Sequence, residues 1–306
     1  MTESAITIGK FDGIHRGHQL LIKDVVDVAQ KREYKSICYK LDFGDSALMT
    51  GAEDEELLKG FGIDSIIRPE FTPEFAGMSH NEFVQRILVD ELNVRYIAVG
   101  TDFRYGKDRI GNVDTLRQSG ETFGFEVNVI DKLQIGGETV SSTRIRSCLE
   151  AGNVSGASEL MGHPYKLTGE VATGKKLGRT LGYPTINLKY DERKKLPKYG
   201  VYASRVLVYD DSAPKYSSEN DASKPGDKLV LGTCKEYRGI TNIGIRPTVD
   251  DGDKVTIETF IYDFDKDIYG SFVEVIPEKF IREEKKFSGF DELTAQIKQD
   301  ITEAGK

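Results

Sequence analysis

The 306 residues contain four histidines, and two of them fall in one short stretch, Gly9-Lys10-Phe11-Asp12-Gly13-Ile14-His15-Arg16-Gly17-His18. It follows a predicted strand and runs into a predicted helix. Backbone N–H groups at such a helix start, with the helix dipole, favour a phosphate group. Gly9, Gly13 and Gly17 let the backbone approach closely, and two imidazoles can donate hydrogen bonds to phosphate oxygens as charge builds there. The bland alternative is a capped loop or a metal pair, and metal is poorly served because His80 and His163 are isolated. A second segment of this kind is Val140-Ser141-Ser142-Thr143-Arg144-Ile145-Arg146, where hydroxyls and guanidinium groups meet another predicted helix start. Alone it could be an N-cap with a solvated basic face. Between the two lies Gly100-Thr101-Asp102-Phe103-Arg104-Tyr105-Gly106-Lys107, either a turn with an Asp cap or part of the strand edge where ligands of open α/β sheets collect.

The second half carries a different set. Gly169, Gly174, Gly178 and Gly182, interleaved with Lys175, Lys176 and Arg179, suit a loop folding over polyphosphate. No Gly-Lys-Ser/Thr closes it, so it is not a Walker A sequence. In Tyr183-Pro184-Thr185-Ile186-Asn187, Thr185 and Asn187 project from one face of a strand. A hydroxyl and an amide oxygen are hard ligands that suit Mg²⁺, which keeps waters and substrate phosphates as well. Glu258 lies in Val255-Thr256-Ile257-Glu258-Thr259-Phe260, where an acid among strand formers is either a general base or an outward-facing surface carboxylate.

Alternating elements must position the first set. Ser4–Ile8, Lys35–Leu41, Asp64–Ile67, Arg95–Val99 and Phe125–Ile130 read as strands. Gly17–Lys31 reads as a helix through Leu20, Leu21, Asp24, Val25, Val28 and Ala29. Ser79–Leu92 is a helix opened by a Ser79/Glu82 capping-box pattern, and Ser142–Glu150 closes the region. This alternation implies a parallel, Rossmann-like sheet covered on both faces. From Lys166 the chain is β-rich: Lys166–Ala172, Thr185–Leu188, Val201–Val208, Lys228–Cys234, Ile240–Gly244, Thr256–Phe264 and Phe272–Ile276 predict a small antiparallel barrel. Ser288–Ala304 follows as an amphipathic helix. The polar stretch 210–227 reads as a solvated loop. The fold class is therefore α/β plus β, with domains over 1–155 and 160–306.

Composition narrows the function. The net charge of −8 makes a general nucleic-acid binder improbable. No apolar run reaches the ~18–20 residues that cross a bilayer, and the N-terminal residues lack a signal-peptide pattern. Cys38, Cys148 and Cys234 are far apart, which argues against a disulfide framework and suits the cytoplasm. The expected partners are small molecules, with no membrane or nucleic acid; nothing in the sequence sets an oligomeric state.

In order, these segments resemble the bacterial bifunctional riboflavin kinase/FAD synthetase family. The resemblance rests on residues 9–18, Asp102–Gly106, Ser141–Arg146 and Gly178–Asn187. It extends to Gly200-Val201-Tyr202, Asn242–Thr248, the strand bearing Glu258, Asp267–Gly270, and Phe280–Arg282 leading to Lys286-Phe287. It implies an N-terminal adenylyltransferase joining FMN and ATP to give FAD and pyrophosphate, and a C-terminal Mg²⁺-dependent kinase acting on the 5′-hydroxyl of riboflavin. The resemblance also implies a place for each residue. Gly9, Phe11, Asp12, His15, Gly17, His18, Asp102, Ser142, Thr143 and Arg146 would serve the first ATP, and Gly174, Lys175, Gly178 and Arg179 the second. Asn242, Arg246 and Arg282 would touch flavin, Thr185 and Asn187 would hold Mg²⁺, and Glu258 would accept the riboflavin proton. The sequence departs from the family at Lys10, in the short segment 41–62, at Ile186 and in the insertion 210–227. The acidic run Glu53-Asp54-Glu55-Glu56 either faces the cleft, where it would repel FMN phosphate and slow FAD formation, or forms a solvated helix start. Two other functional readings are a kinase with a degenerate first domain and a non-catalytic flavin-binding regulator. Thr185, Asn187 and Glu258 speak against the regulator, since binding alone needs no base or metal pair.

Overall fold

A computed structural model describes residues 2–41, 46–173, 183–209, 233–247 and 253–305, the side chains at 246, 247, 253 and 254 excepted. The described chain divides into two compact units, the first ending at Ser142 and the second beginning at Thr143.

The first unit is built on five parallel strands, β1 (Ser4–Gly9), β2 (Lys35–Lys40), β3 (Ser65–Ile67), β4 (Val94–Gly100) and β5 (Glu126–Ile130), in the order β3-β2-β1-β4-β5. Ser4 to Ile8 are buried without alternation, as expected of a strand covered on both faces. Helix α1 (Arg16–Arg32) packs through Leu21, Ile22, Val25, Val26 and Ala29. Leu20, expected on that face, is instead 40% exposed; it lies about 100° around the helix from Leu21, outside the stripe. The Ser79/Glu82 capping box forms, but after His80–Glu82 the helix continues as a π-helix, Phe83–Glu91, with the Leu92 N–H donating five residues back to the Ile87 carbonyl at 3.0 Å. We call the whole segment α3.

Besides the five-residue helix Pro73–Gly77, sequence analysis missed three helices: α2 (Gly51–Gly60), α4 (Val113–Phe123) and α6 (Val154–Met161). Each opens on a side-chain cap, Thr50, Asn112 or Asn153. The Thr50-x-x-Glu53 capping box alters the meaning of the acidic run. Glu53 is 1% exposed and accepts from the Thr50 N–H at 2.8 Å. Asp54, 2% exposed, is ion-paired with Lys40 on β2. The run does start a helix, but its first two acids are buried and structurally engaged, and none of the four lines the cavity of this unit.

The second unit takes up α5 (Ser142–Glu150) from Thr143, then α6 and a closed barrel. The barrel strands are β6 (Leu167–Ala172), β7 (Thr185–Lys189), β8 (Gly200–Tyr209), β9 (Cys234–Pro247), β10 (Asp253–Ile261) and β11 (Phe272–Arg282), closed in the order β6-β7-β10-β9-β8-β11 with every pair antiparallel. Helix α7 (Phe290–Ala304) follows. Thr241, Ile243, Ile257 and Thr259 are buried, and the two threonine hydroxyls meet at 3.0 Å. Two separate strands, Lys228–Cys234 and Ile240–Gly244, were expected with a turn between. Instead β9 runs unbroken from Cys234, and 228–232 lie outside the described residues, as does the stretch 210–227. Gly239 supports the continuous strand: a Cβ there would stand 2.3 Å from the Phe260 carbonyl oxygen, so it permits close backbone approach.

The Lys40–Asp54 pair yields a stability prediction. Lys40→Met alone should cost about 3–5 kcal/mol, because it leaves a buried carboxylate uncompensated. Lys40→Met with Asp54→Leu should recover most of that loss in urea unfolding of the full chain.

Candidate active sites

In the first unit, the loop from β1 to α1 is held in a contorted backbone. Phe11, Gly13 and Ile14 have φ of 48°, 81° and 36°. Such angles are costly for non-glycine residues and persist only where the surroundings enforce them. Here Phe11 and Ile14 are fully buried, and the Asp12 carboxylate accepts from the Leu48 N–H at 2.7 Å. A Cβ on Gly13 would stand 2.8 Å from Leu48 Cδ1. The Asp12 carbonyl accepts from the Ser142 hydroxyl at 2.8 Å, which brings two sequence-predicted segments together.

His15 caps α1, its Nδ1 accepting from the His18 N–H at 3.3 Å. That bond requires an unprotonated Nδ1, so a neutral His15 carries its proton on Nε2. The two rings stack with centroids 3.6 Å apart and planes 14° apart, and Phe11 meets His18 edge-on at 5.1 Å. Burial pushes the His15 imidazole down to about 4, against a backbone hydrogen bond and the Asp12 charge, which favour protonation. Burial, then the charges of His15 and Lys40, hold His18 well below the usual histidine range. The pair is therefore neutral near pH 7, a closely packed donor surface without fixed charge.

A cavity of about 620 Å³ opens at the carboxyl ends of β1 and β4. These adjacent strands lead off in opposite directions across the sheet, the switch point at which open α/β sheets bind ligands. Gly9, Phe11, His18 and Asp102 line it, with Lys10, Arg104 and Arg109. Asp102 is paired with Lys132 at 2.8 Å, and that hydrogen bond first of all lowers its carboxyl below the usual range. Phe103 and Tyr105, in the segment Gly100–Lys107 singled out in the sequence, line it too; sequence reasoning overlooked Phe71, Phe75 and Phe83, which only the fold brings beside them. Gly17 lies against the His15 ring. Thr143 and Arg146 sit on α5, Thr143 exposed and Arg146 half-buried, and line neither this cavity nor the barrel cavity described next.

In the barrel, register brings Asn187 on β7 opposite Glu258 on β10, and Glu258 opposite Asn242 on β9. These three form one row across three strands. Their neighbours Ile257, Thr259, Thr241 and Ile243 are buried, so the row lies on the outer face. Glu258 is thus outward-facing, yet it is roofed: it lines a cavity of about 310 Å³ with Thr185, Asn242, Phe260 and Arg282, closed by Leu293 and Ile297 of α7. A second cavity of about 210 Å³, lined by Pro184, Thr185, Ile186 and the segment Asp265–Tyr269, shares Thr185 with it. Thr185 therefore stands where the two spaces meet. Gly174, Lys175, Gly178 and Arg179 lie outside the described residues, as does the Arg246 side chain. Among the described residues no group of three or more His, Cys, Asp or Glu could cage a metal. A cation here would rest on a hydroxyl, an amide oxygen, waters and phosphate, the manner of Mg²⁺.

The histidine pair predicts a pH dependence. With His15 near 4 when folded and 6.5 when unfolded, the unfolded chain binds more protons between those values. Stability present above about pH 6.5 is therefore lost as pH falls toward 4, by up to about 3 kcal/mol. Urea unfolding between pH 7 and 4 should show this, and His15→Asn, which keeps a capping oxygen, should flatten much of the slope.

Residues 1–144 match the FAD synthetase family and residues 161–306 the riboflavin kinase family. A bifunctional riboflavin kinase/FMN adenylyltransferase of Escherichia coli K12 is 33% identical over 305 residues, covering 96% of this chain and 90% of that protein. The protein of the same name from Pseudomonas fluorescens is 32% identical, covering 97% and 91%. A crystal structure from Streptococcus pneumoniae, described as a macrolide-efflux protein, is similar with a TM-score of 0.83 and 28% identity, covering 100% of this chain and 95% of that one. Among the described residues no helix is long and apolar enough to cross a membrane. With both family matches on one chain, in the order in which the two sites occur, the chain belongs to the bifunctional riboflavin kinase/FMN adenylyltransferase family.

Proposed function

We propose that this chain phosphorylates riboflavin with ATP in the barrel and adenylylates the resulting FMN in the parallel-sheet unit, over about residues 160–306 and 1–155. The observation that carries the kinase assignment is the single residue, Thr185, common to two cavities, one of which also holds Glu258. Riboflavin occupies the larger space under α7, against Asn242 and Arg282, and the ATP phosphates reach Thr185 from the smaller one. Glu258 takes the proton of the 5′-hydroxyl as its oxygen bonds the γ-phosphorus and the bond to the β-phosphate oxygen breaks. By the family resemblance, Arg246 serves the flavin, and Gly174, Lys175, Gly178 and Arg179 serve the ATP. Thr185 and Asn187 would hold Mg²⁺, which supplies charge neutralisation on the phosphates. Positioning and charge stabilisation carry most of such a transfer.

Over about residues 1–155, Gly9, Phe11, Asp12, Gly17 and Asp102 shape the nucleotide site, and Ser142, Thr143 and Arg146 hold the triphosphate. An FMN phosphate oxygen bonds the α-phosphorus of ATP, and pyrophosphate leaves as the α–β bridge breaks. His15 and His18 donate N–H groups to the phosphate oxygens on which charge develops. They can serve so while neutral near pH 7, because a neutral imidazole keeps one N–H to donate. The buried Glu53 and Asp54 remove the basis for expecting repulsion of FMN by the acidic run. A cytoplasmic setting fits the free thiols of Cys38, Cys148 and Cys234 and the use of ATP.

The test is incubation of the full chain with riboflavin, ATP and Mg²⁺, with chromatographic separation of riboflavin, FMN and FAD. Glu258→Gln should retain riboflavin binding and slow FMN formation by about two to four orders of magnitude. Equal rates would remove Glu258 from the proton transfer. His18→Ala, assayed with FMN supplied, should depress FAD formation and leave the riboflavin kinase rate within about twofold of wild type. Equal loss of both would mean that the two sites are coupled or the fold was harmed.

A further inference from the structure

Helix α7 is docked in an unusual way. It has fifteen residues with an apolar side, yet its one buried residue is a carboxylate, Asp300, 2% exposed. Most amphipathic helices bury their apolar stripe. Here Leu293 and Ile297 are only half-buried and Phe290 is 63% exposed.

A carboxylate is buried at high cost unless it is paired and fully hydrogen-bonded. Asp300 meets that condition. Its Oδ1 accepts from Arg282 Nε at 2.8 Å and from Gln296 Nε2 at 2.9 Å, and its Oδ2 accepts from Arg282 Nη2 at 2.7 Å. Two parallel bonds to a planar guanidinium fix direction as well as distance. Arg282 is the last residue of β11 and also lines the cavity beneath α7. The apolar side chains that α7 leaves incompletely covered face that same cavity, opposite Tyr183, Ile240 and Phe260 of the barrel side. At about 310 Å³ the space is within the range of small-molecule sites.

We propose that Asp300 is a positioning residue for the flavin: its paired bonds to Arg282 set α7 as the roof of the cavity, and the isoalloxazine ring of the bound substrate completes the apolar face of that helix. The inference rests on the kinase reading for the identity of the ligand. It makes the helix a wall whose packing is finished only in the complex, with Arg282 serving the roof as well as the site.

The test uses the full chain. Asp300→Asn keeps the shape but loses the charge of the pair, and should raise the KM for riboflavin about tenfold or more, with kcat and the KM for ATP within about twofold. Asp300→Glu should recover part of the riboflavin KM. Hydrogen exchange in wild-type residues 290–304 should slow on adding riboflavin and not on adding ATP alone. An unchanged riboflavin KM in folded Asp300→Asn, an equal rise in both KM values, or α7 exchange indifferent to riboflavin would each overturn the proposal. Failure of the kinase reading is distinguishable. If wild type makes no FMN yet quenches riboflavin fluorescence on binding, weaker binding by Asp300→Asn upholds the roof and equal binding overturns it. No binding by wild type overturns both.

Discussion

Moving β7 or β9 one residue along β10 would leave Glu258 without its row. In the observed register Glu258 lies between Asn187 and Asn242, while Ile257 and Thr259 turn into the barrel. Because side chains alternate with a period of two, a slip of one residue exchanges the two faces. For β9 it would turn Asn242 into the barrel and bring Thr241 or Ile243 out beside Glu258. Closure of six strands, each paired on both sides, leaves no free edge along which such a slip could be absorbed. The same register seats Thr185 opposite Phe260, at the meeting of the two cavities. The row and the cavity over it therefore depend on a property of the sheet as a whole.

The first unit solves a different problem. It has to hold a contorted loop in place at the edge of a cavity. The answer is a helix start with strained residues before it, two stacked imidazoles kept neutral by burial, and hydrogen bonds from Leu48 and Ser142 that pin Asp12 from two directions. The strain at Phe11 and Ile14 is held by their complete burial. Beneath lies the Lys40–Asp54 pair, which fastens α2 to β2 and adds to the pressure against protonating His18.

The two cavities sit differently in their units: the first lies at the carboxyl ends of β1 and β4, the second over mid-strand residues on the outer face of the barrel, beneath α7. In each, a cavity of aromatic and aliphatic walls is edged by a few polar groups. That division of labour suits a substrate with a flat ring and a phosphate or hydroxyl at the far end.

Much of this was legible in the sequence. The strand–glycine–histidine–helix order of residues 4–31 predicts the sheet edge and the histidine pair at the helix start, because local backbone preference acts within one segment. The spacing of Thr185 and Asn187 predicts a shared face, since strand geometry alone fixes it. The ordered set of segments was enough to point to the family. Helices α2, α4 and α6 were within reach through their caps at Thr50, Asn112 and Asn153, each a side-chain oxygen placed just before the first helical turn. The sequence could not reveal that Glu53 and Asp54 are buried, that Leu20 faces outward, or that β9 runs straight through Gly239, for each depends on a distant neighbour: Lys40, the rotation of α1 on the sheet, and the Phe260 carbonyl. Nor could it tell whether Glu258 was a surface acid or a site acid. It is on the outer face, and α7, anchored through Asp300 to Arg282, encloses it. Residue chemistry and local geometry are written in the chain order; burial, pairing and enclosure are set by residues far apart in sequence, and only the folded chain brings them together.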